Sequence, residues 1–189
     1  MTAHPVTPPG DAHSVASAAD VQADAERGSL GVDAFIDRLV YPLVVVTVEA
    51  PDGERSGCLA GFFTQCSIEP TRFVVCISKV NHTFDIVERS TRMGLHLLGE
   101  DQDATATLFG EETGDRTDKF ARTAWHHGPW RVPILDGCAA WMVVDIAGRV
   151  DAGDHVALVT DPCAGGSGAH AGVLTNRNAP PLQPGHPVD

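Results

Sequence analysis

The sequence predicts a mainly β fold: a closed antiparallel barrel with one leading helix and two short helices inserted between strands. Three observations predict it. About six or seven short β-branched runs are bounded by turn residues, with hairpin chemistry at Pro51-Asp52-Gly53-Glu54 and Asp151-Ala152-Gly153-Asp154. Helical periodicity is confined to brief stretches, so the long crossover helices that a parallel sheet needs are missing. No Gly-x-Gly-x-x-Gly follows a strand, which argues against a doubly wound nucleotide-binding sheet.

Taken in order, residues 1–29 are rich in Ala, Asp, Ser, Pro and His and carry few large apolar side chains. Such a segment buries too little surface to offset its ordering entropy, so it is expected to be mobile or draped over a partner subunit, with at most a helical turn or two in 16–27. Val32, Phe35, Ile36, Leu39 and Val40 then fall at i, i+3, i+4, i+7 and i+8, one stripe of an amphipathic helix that Pro42 ends. Residues 43–50 read as a strand, and the hairpin at 51–54 returns the chain through 55–64 as its antiparallel neighbour. A third strand covers 72–78, a short helix lies near 84–90, and a fourth strand covers 93–98. A second inserted helix, 101–109, is closed by Gly110. Residues 111–133 read as a polar, irregular excursion. Strands follow at 138–150 and 155–160, then a short one at 172–175. The expected division is an extension (1–29), the barrel domain (30–176) and a Pro-rich tail (177–189).

A chain of 189 residues, 43% hydrophobic, is long enough to bury one substantial core. With 13 basic residues against 25 acidic ones, the formal net charge of -12 argues against broad contact with nucleic acid or anionic lipid. An anionic ligand therefore has to be held locally, by backbone amides and one or two cations. The five cysteines include no Cys-x-x-Cys pair, so neither a zinc knuckle nor a redox dithiol is expected. They read as reduced, mostly buried thiols of a cytoplasmic protein. No signal peptide is recognised, and no run approaches the roughly 18 apolar residues that span a bilayer.

The stretch around which the chemistry gathers is 56–83. Ser78, Lys79, Asn81, His82 and Thr83 supply hydroxyls, an amide and a cation where a strand gives way to a helix, a natural seat for a phosphate. The same residues serve equally as an ordinary helix N-cap. In Leu59-Ala60-Gly61-Phe62, small residues in mid-strand let a flat ring approach the backbone, though a β-bulge explains them as well. His155, after the Gly153-Asp154 turn, is placed to contact a cofactor or simply to hydrogen-bond the turn. His126-His127 is read as surface loop, because adjacent side chains point apart and no carboxylate pattern accompanies them; no metal is expected.

The order of these motifs resembles the flavin reductase-like family, with its FMN-binding split barrel, over about 32–175. Residues 57–70 stand where the family carries Gly-x-Thr-Ala-Asn-Ser-Phe-Thr-Ser-Val-Ser-Leu-Asp-Pro; residues 76–83 match its phosphate segment; Asp118-Lys119-Phe120 and Gly153-Asp154-His155 match two later signatures. The resemblance implies an NAD(P)H:flavin oxidoreductase that uses FMN or FAD with NADH or NADPH. It also implies a homodimer supplying reduced flavin to a flavin-dependent monooxygenase. Leu59, Ala60, Gly61 and Phe62 would line the ring; Cys76, Ile77 and Ser78 would border ring and ribityl chain; Lys79, His82 and Thr83 would serve the phosphate; Leu108 and Phe109 would close the site. Lys119, Phe120, Asp154 and His155 would meet the nicotinamide substrate, with His155 positioning it. Phe62, bulky where the family has a small polar residue, motivates a second reading: a flavin- or deazaflavin-binding oxidoreductase acting on another small molecule. A third reading, a barrel without ligand that serves only as a binding partner, belongs to a different class.

Overall fold

The computed structural model describes residues 31–169, 172–183 and 185; the expected mobile extension lies outside them. The chain divides into two units at Leu39. Of the first, the described part is helix α1 (residues 31–36) and the turn after it. The predicted helix ran on to Val40. It stops early because the Arg38 and Leu39 amides bond the Phe35 and Ile36 carbonyls, a 3₁₀-type closure that tightens the last turn.

The second unit carries the β structure. Its elements are β1 (Val44–Glu49), β2 (Arg55–Ala60), β3 (Phe63–Ile68), β4 (Thr71–Ser78), α2 (His82–Glu88), β5 (Arg92–Leu97) and α3 (Asp103–Glu111). These are followed by β6 (Trp125–His127), β7 (Pro133–Leu135), β8 (Ala140–Asp151) and β9 (His155–Ser167). Seven strands form one sheet in the order β2-β1-β5-β8-β9-β4-β3, every neighbouring pair antiparallel. β2 and β4 lie near opposite ends of that order. Yet Cys58 and Ala60 of β2 share one core with Val75 and Ile77 of β4, Val44, Val46 and Val48 of β1, and Leu158 of β9. A sheet whose two ends meet around a common core has rolled up, and the missing hydrogen bonds between its terminal strands make the barrel a split one.

β1 is buried on both faces. Its even-numbered valines enter the barrel, while Val45 joins a second core with Leu98, Leu108, Phe109, Phe120, Leu135 and Leu174 outside it. That outer layer is closed by α3 and by the segment read as an irregular excursion. In the structure this segment holds a 3₁₀ turn (Lys119–Ala121) and the β6–β7 hairpin. The hairpin is tied to the barrel by the Thr47 hydroxyl, which donates to the Pro133 carbonyl at 2.6 Å, and by Glu49, which meets His127 at 2.9 Å. These are tertiary contacts, invisible to local pattern. The tip of the hairpin places Trp130 (φ 53) and Arg131 (φ 65) in the left-handed region, with the Arg131 guanidinium on Glu49.

Three strand readings differ from expectation. The short strand expected at 172–175 is two isolated bridges, Val173 to Gly99 and Thr175 to Pro42. The predicted continuous strand 55–64 is broken at Gly61-Phe62, because there the chain passes from one edge of the sheet to the other. β9 runs to Ser167, through the Gly- and Pro-rich segment expected to be irregular. Beyond Thr160 it pairs with β8 alone, so Pro162 sits where its other side has no strand to serve. Gly110 lies inside the last turn of α3 instead of closing it. No helix among the described residues is long and apolar enough to cross a membrane.

Candidate functional site

The residues singled out from the sequence fall into two neighbourhoods and a supporting layer. The first neighbourhood is the seam. Gly61 and Phe62 bridge β2 to β3; the Phe62 carbonyl accepts the Cys76 amide at 2.9 Å. Phe62 is 57% exposed, so its ring does not fill the barrel. That ring lies edge-on to the His155 imidazole, centroids 5.3 Å apart, with the Tyr41 ring at 6.5 Å. Tyr41 also packs against Gly61, where a Cβ would come within 3.0 Å of its ring. Ser78 and His155 are cross-strand partners, as are Cys76 and Ala157. Burial pushes the Cys76 thiol above its ordinary range, leaving it the neutral form.

His155 is held by its neighbour. Its Nδ1 donates to Asp154 Oδ1 at 2.8 Å, which leaves Nε2 as the ring's other hydrogen-bonding atom. The same bond, with the charge behind it, lowers the Asp154 carboxyl. The Lys79 amide bonds the Asp154 carbonyl and the Lys79 ammonium bonds Asp151 at 2.8 Å, so Lys79 braces the β8–β9 turn.

The second neighbourhood is a cleft of ≈ 220 Å³ at the start of α2. One side is Val80, Asn81 and His82; the other is Gly110, Glu112, Thr113, Asp115 and Arg116, with Gly185 at the rim. Asn81 caps α2, its Oδ1 accepting the Thr83 amide at 2.9 Å. His82 lies between Asp115 (2.9 Å) and Glu54 (3.5 Å). A Cβ on Gly114 would stand 2.5 Å from the His82 ring, so glycine there lets the loop close on the imidazole. Thr83 turns away from the cleft; its buried hydroxyl bonds Ser56 at 2.9 Å.

Leu108, Phe109 and Phe120 form the supporting layer, with Leu59 packed against them. Ala60 and Ile77 face the barrel interior and could meet a ligand only through backbone atoms. The Lys119 ammonium reaches the Gly57 and Phe109 carbonyls at 3.0 and 3.3 Å. His126 and His127 are paired separately, with Asp136 and Glu49.

Sequence reasoning missed the far wall of the cleft. Thr113 and Arg116 sit in a segment without periodicity, and the Gly114 turn was its only local signal. The donors present there suit a phosphate. The exposed Arg116, the Thr113 hydroxyl and the Asn81 side-chain amide line one opening, beside the His82 ring whose two nitrogens face Asp115 and Glu54. Two carboxylates compete there: Asp115 is on the His82 ring at 2.9 Å, and Glu112 is engaged by the Thr117 hydroxyl at 2.8 Å and by Arg122, which hold it below the usual range. The seam offers backbone at Gly61 and an aromatic face at Phe62.

Comparison with known proteins finds relatives by sequence and by fold. The reductase component of the flavin-dependent trigonelline monooxygenase of Acinetobacter baylyi is 29% identical over 117 residues, 62% of this chain and 37% of that protein. An FMN reductase (NADH) of Methylorubrum extorquens is 26% identical over 142 residues, 72% of this chain and 68% of its own. The crystal structure of a flavin reductase domain protein from Arthrobacter sp. FB24 has a TM-score of 0.71 at 24% identity, covering 85% of this chain and 98% of that one, a likeness of fold. The chain spans between 37% and 50% of the length of the first curated relatives it matches. Residues 36–179 match the family model described as Flavin reductase like domain, and with the seam, the cleft and the split barrel in view the chain belongs to that family.

Proposed function

We propose that this chain is an NAD(P)H:flavin oxidoreductase, reducing FMN or FAD with NADH or NADPH and, as a homodimer, supplying reduced flavin to a flavin-dependent monooxygenase. The observation that carries the reading is the seam: two residues, Gly61 and Phe62, span the split of the barrel beside His155, whose cross-strand partner Ser78 precedes the phosphate-suited cleft by two residues. A bound flavin would supply the redox chemistry, as acceptor of the hydride that the nicotinamide gives up.

The chain's own residues bind, orient and exclude water. Arg116, Thr113 and Asn81 would hold the phosphate against a protein whose overall charge of -12 would otherwise repel it, and His82 would reach it on giving up one of its two carboxylates. The Gly61 backbone and the Phe62 ring border the flavin on one edge, and Cys76 and Ser78 on another, the neutral Cys76 thiol adding no charge that would oppose reduction. Leu108 and Phe109 support the wall behind the cleft, while Thr83 acts at one remove by fixing α2 to Ser56. His155, its ring oriented by Asp154, positions the nicotinamide; hydride transfer needs no side-chain acid, and holding two rings in contact supplies most of the gain.

The test is oxidation of NADH and of NADPH, followed by nicotinamide absorbance, with FMN and with FAD. Turnover that requires added or copurified flavin is the expected result. Purified protein that oxidises neither nicotinamide with either flavin would exclude the proposal.

A further inference from the structure

Lys119 is 4% exposed, and no carboxylate stands within ion-pair distance of it among the described residues. Burying an ammonium in this way is costly, and burial duly pushes its pKa below the ordinary lysine range. Its two hydrogen bonds go to backbone carbonyls, and each of those carbonyls is an orphan for a reason. The Ala50 amide bonds the Glu54 carbonyl, which sets the phase of the β1–β2 ladder; Thr47 and Gly57 are then a non-hydrogen-bonded pair, and the Gly57 carbonyl points off the open edge of β2. Phe109 is in the last turn of α3, where carbonyls have no partner four residues on. The ammonium satisfies both, and its charge suits the negative end of the helix.

The approach is close. A Cβ on Gly57 would lie 2.8 Å from the Phe109 ring, and the Phe109 ring centroid is 5.5 Å from the Lys119 nitrogen. Lys119 is itself set by Asp118, whose carboxylate accepts the Phe120 and Ala121 amides at 3.0 and 3.2 Å. The bond from Lys119 to Phe109 therefore closes the loop 110–118, which is the far wall of the cleft.

We propose that Lys119 is a positioning residue: its ammonium staples the end of α3 to the open edge of β2, closes loop 110–118, and so fixes the wall that carries Thr113 and Arg116. The assignment rests on the reading of that cleft as a flavin site, and it removes Lys119 from direct contact with substrate.

The experiment compares wild type, Lys119→Met and Lys119→Arg, each shown to be folded by circular dichroism at the assay temperature. In K119M the KM for flavin rises tenfold or more while kcat at saturating flavin stays within about twofold, and K119R, which keeps the donors, recovers most of the loss. Amide exchange in 110–116 quickens at least tenfold in K119M, while that of β1 and β5 does not change. Unchanged flavin KM and unchanged exchange in folded K119M overturn the proposal, as does a fall in kcat with KM intact, which would mean contact with the reacting groups. Should K119M fail to fold, Lys119→Gln, whose uncharged amide nitrogen ends one atom short of the ammonium position, carries the same expectations. Wild-type protein with no flavin-dependent turnover defeats the reductase reading alone; the exchange contrast then decides the staple by itself.

Discussion

His96 is fully buried between the two core layers, where both ring nitrogens are used. Nδ1 donates to the Val45 carbonyl at 3.0 Å, and Nε2 accepts the Leu135 amide at 3.1 Å, an arrangement only the neutral ring can make. Burial pushes its pKa from 6.5 down to about 4. The folded state thus binds this proton more weakly than the unfolded chain. Its stabilising contribution is complete above about pH 6.5 and is lost as the pH falls toward 4, a change of about 3 kcal/mol. Urea unfolding across that range should show the slope in wild type and a shallower one in His96→Gln; parallel profiles would contradict the assignment. Phe62 poses a different residue-scale question. Its identity was plain in the sequence, but its direction was not: the ring is 57% exposed, against His155 and Tyr41, and does not fill the barrel core.

Among the elements, α2 depends most on a single side chain. It has seven residues, too few to be stable alone, and Asn81 satisfies one of its first amides. Replacing Asn81 by alanine is expected to cost about 1 kcal/mol, read as a lower urea midpoint with unchanged slope. Local pattern located α2, the hairpin at 51–54 and the paired strands around it, since each rests on nearby residues. It failed for β9 beyond Thr160 and for the β6–β7 hairpin. There the ladder with β8 and the bonds from Thr47 and Glu49 outweigh poor intrinsic propensity.

At the scale of the molecule, the rolled sheet brings both of its ends to one seam, and the candidate site follows from that closure. The homodimer proposed for this family member predicts a solution mass twice that of the 19.9 kDa chain by light scattering. A monomer mass at micromolar protein would reject it. The described C-terminal residues also act at this scale: Gln183 bonds Glu111 at 2.9 Å and Gly185 bonds the Gly110 carbonyl, so the segment read as a tail is laid against the end of α3.

The sequence by itself determined the class of fold, the order of most elements and the motifs that name the family, because periodicity, turn chemistry and capping act over a few residues. It also determined that any anionic ligand needs local donors in an acidic protein. Only the tertiary structure decided that β2 and β3 stand at opposite edges of the sheet, that Thr83 faces Ser56 and not the cleft, and that Lys119 holds two backbone carbonyls. Those outcomes depend on partners 27 and 62 residues away in the chain, and no local pattern encodes a contact over such distances.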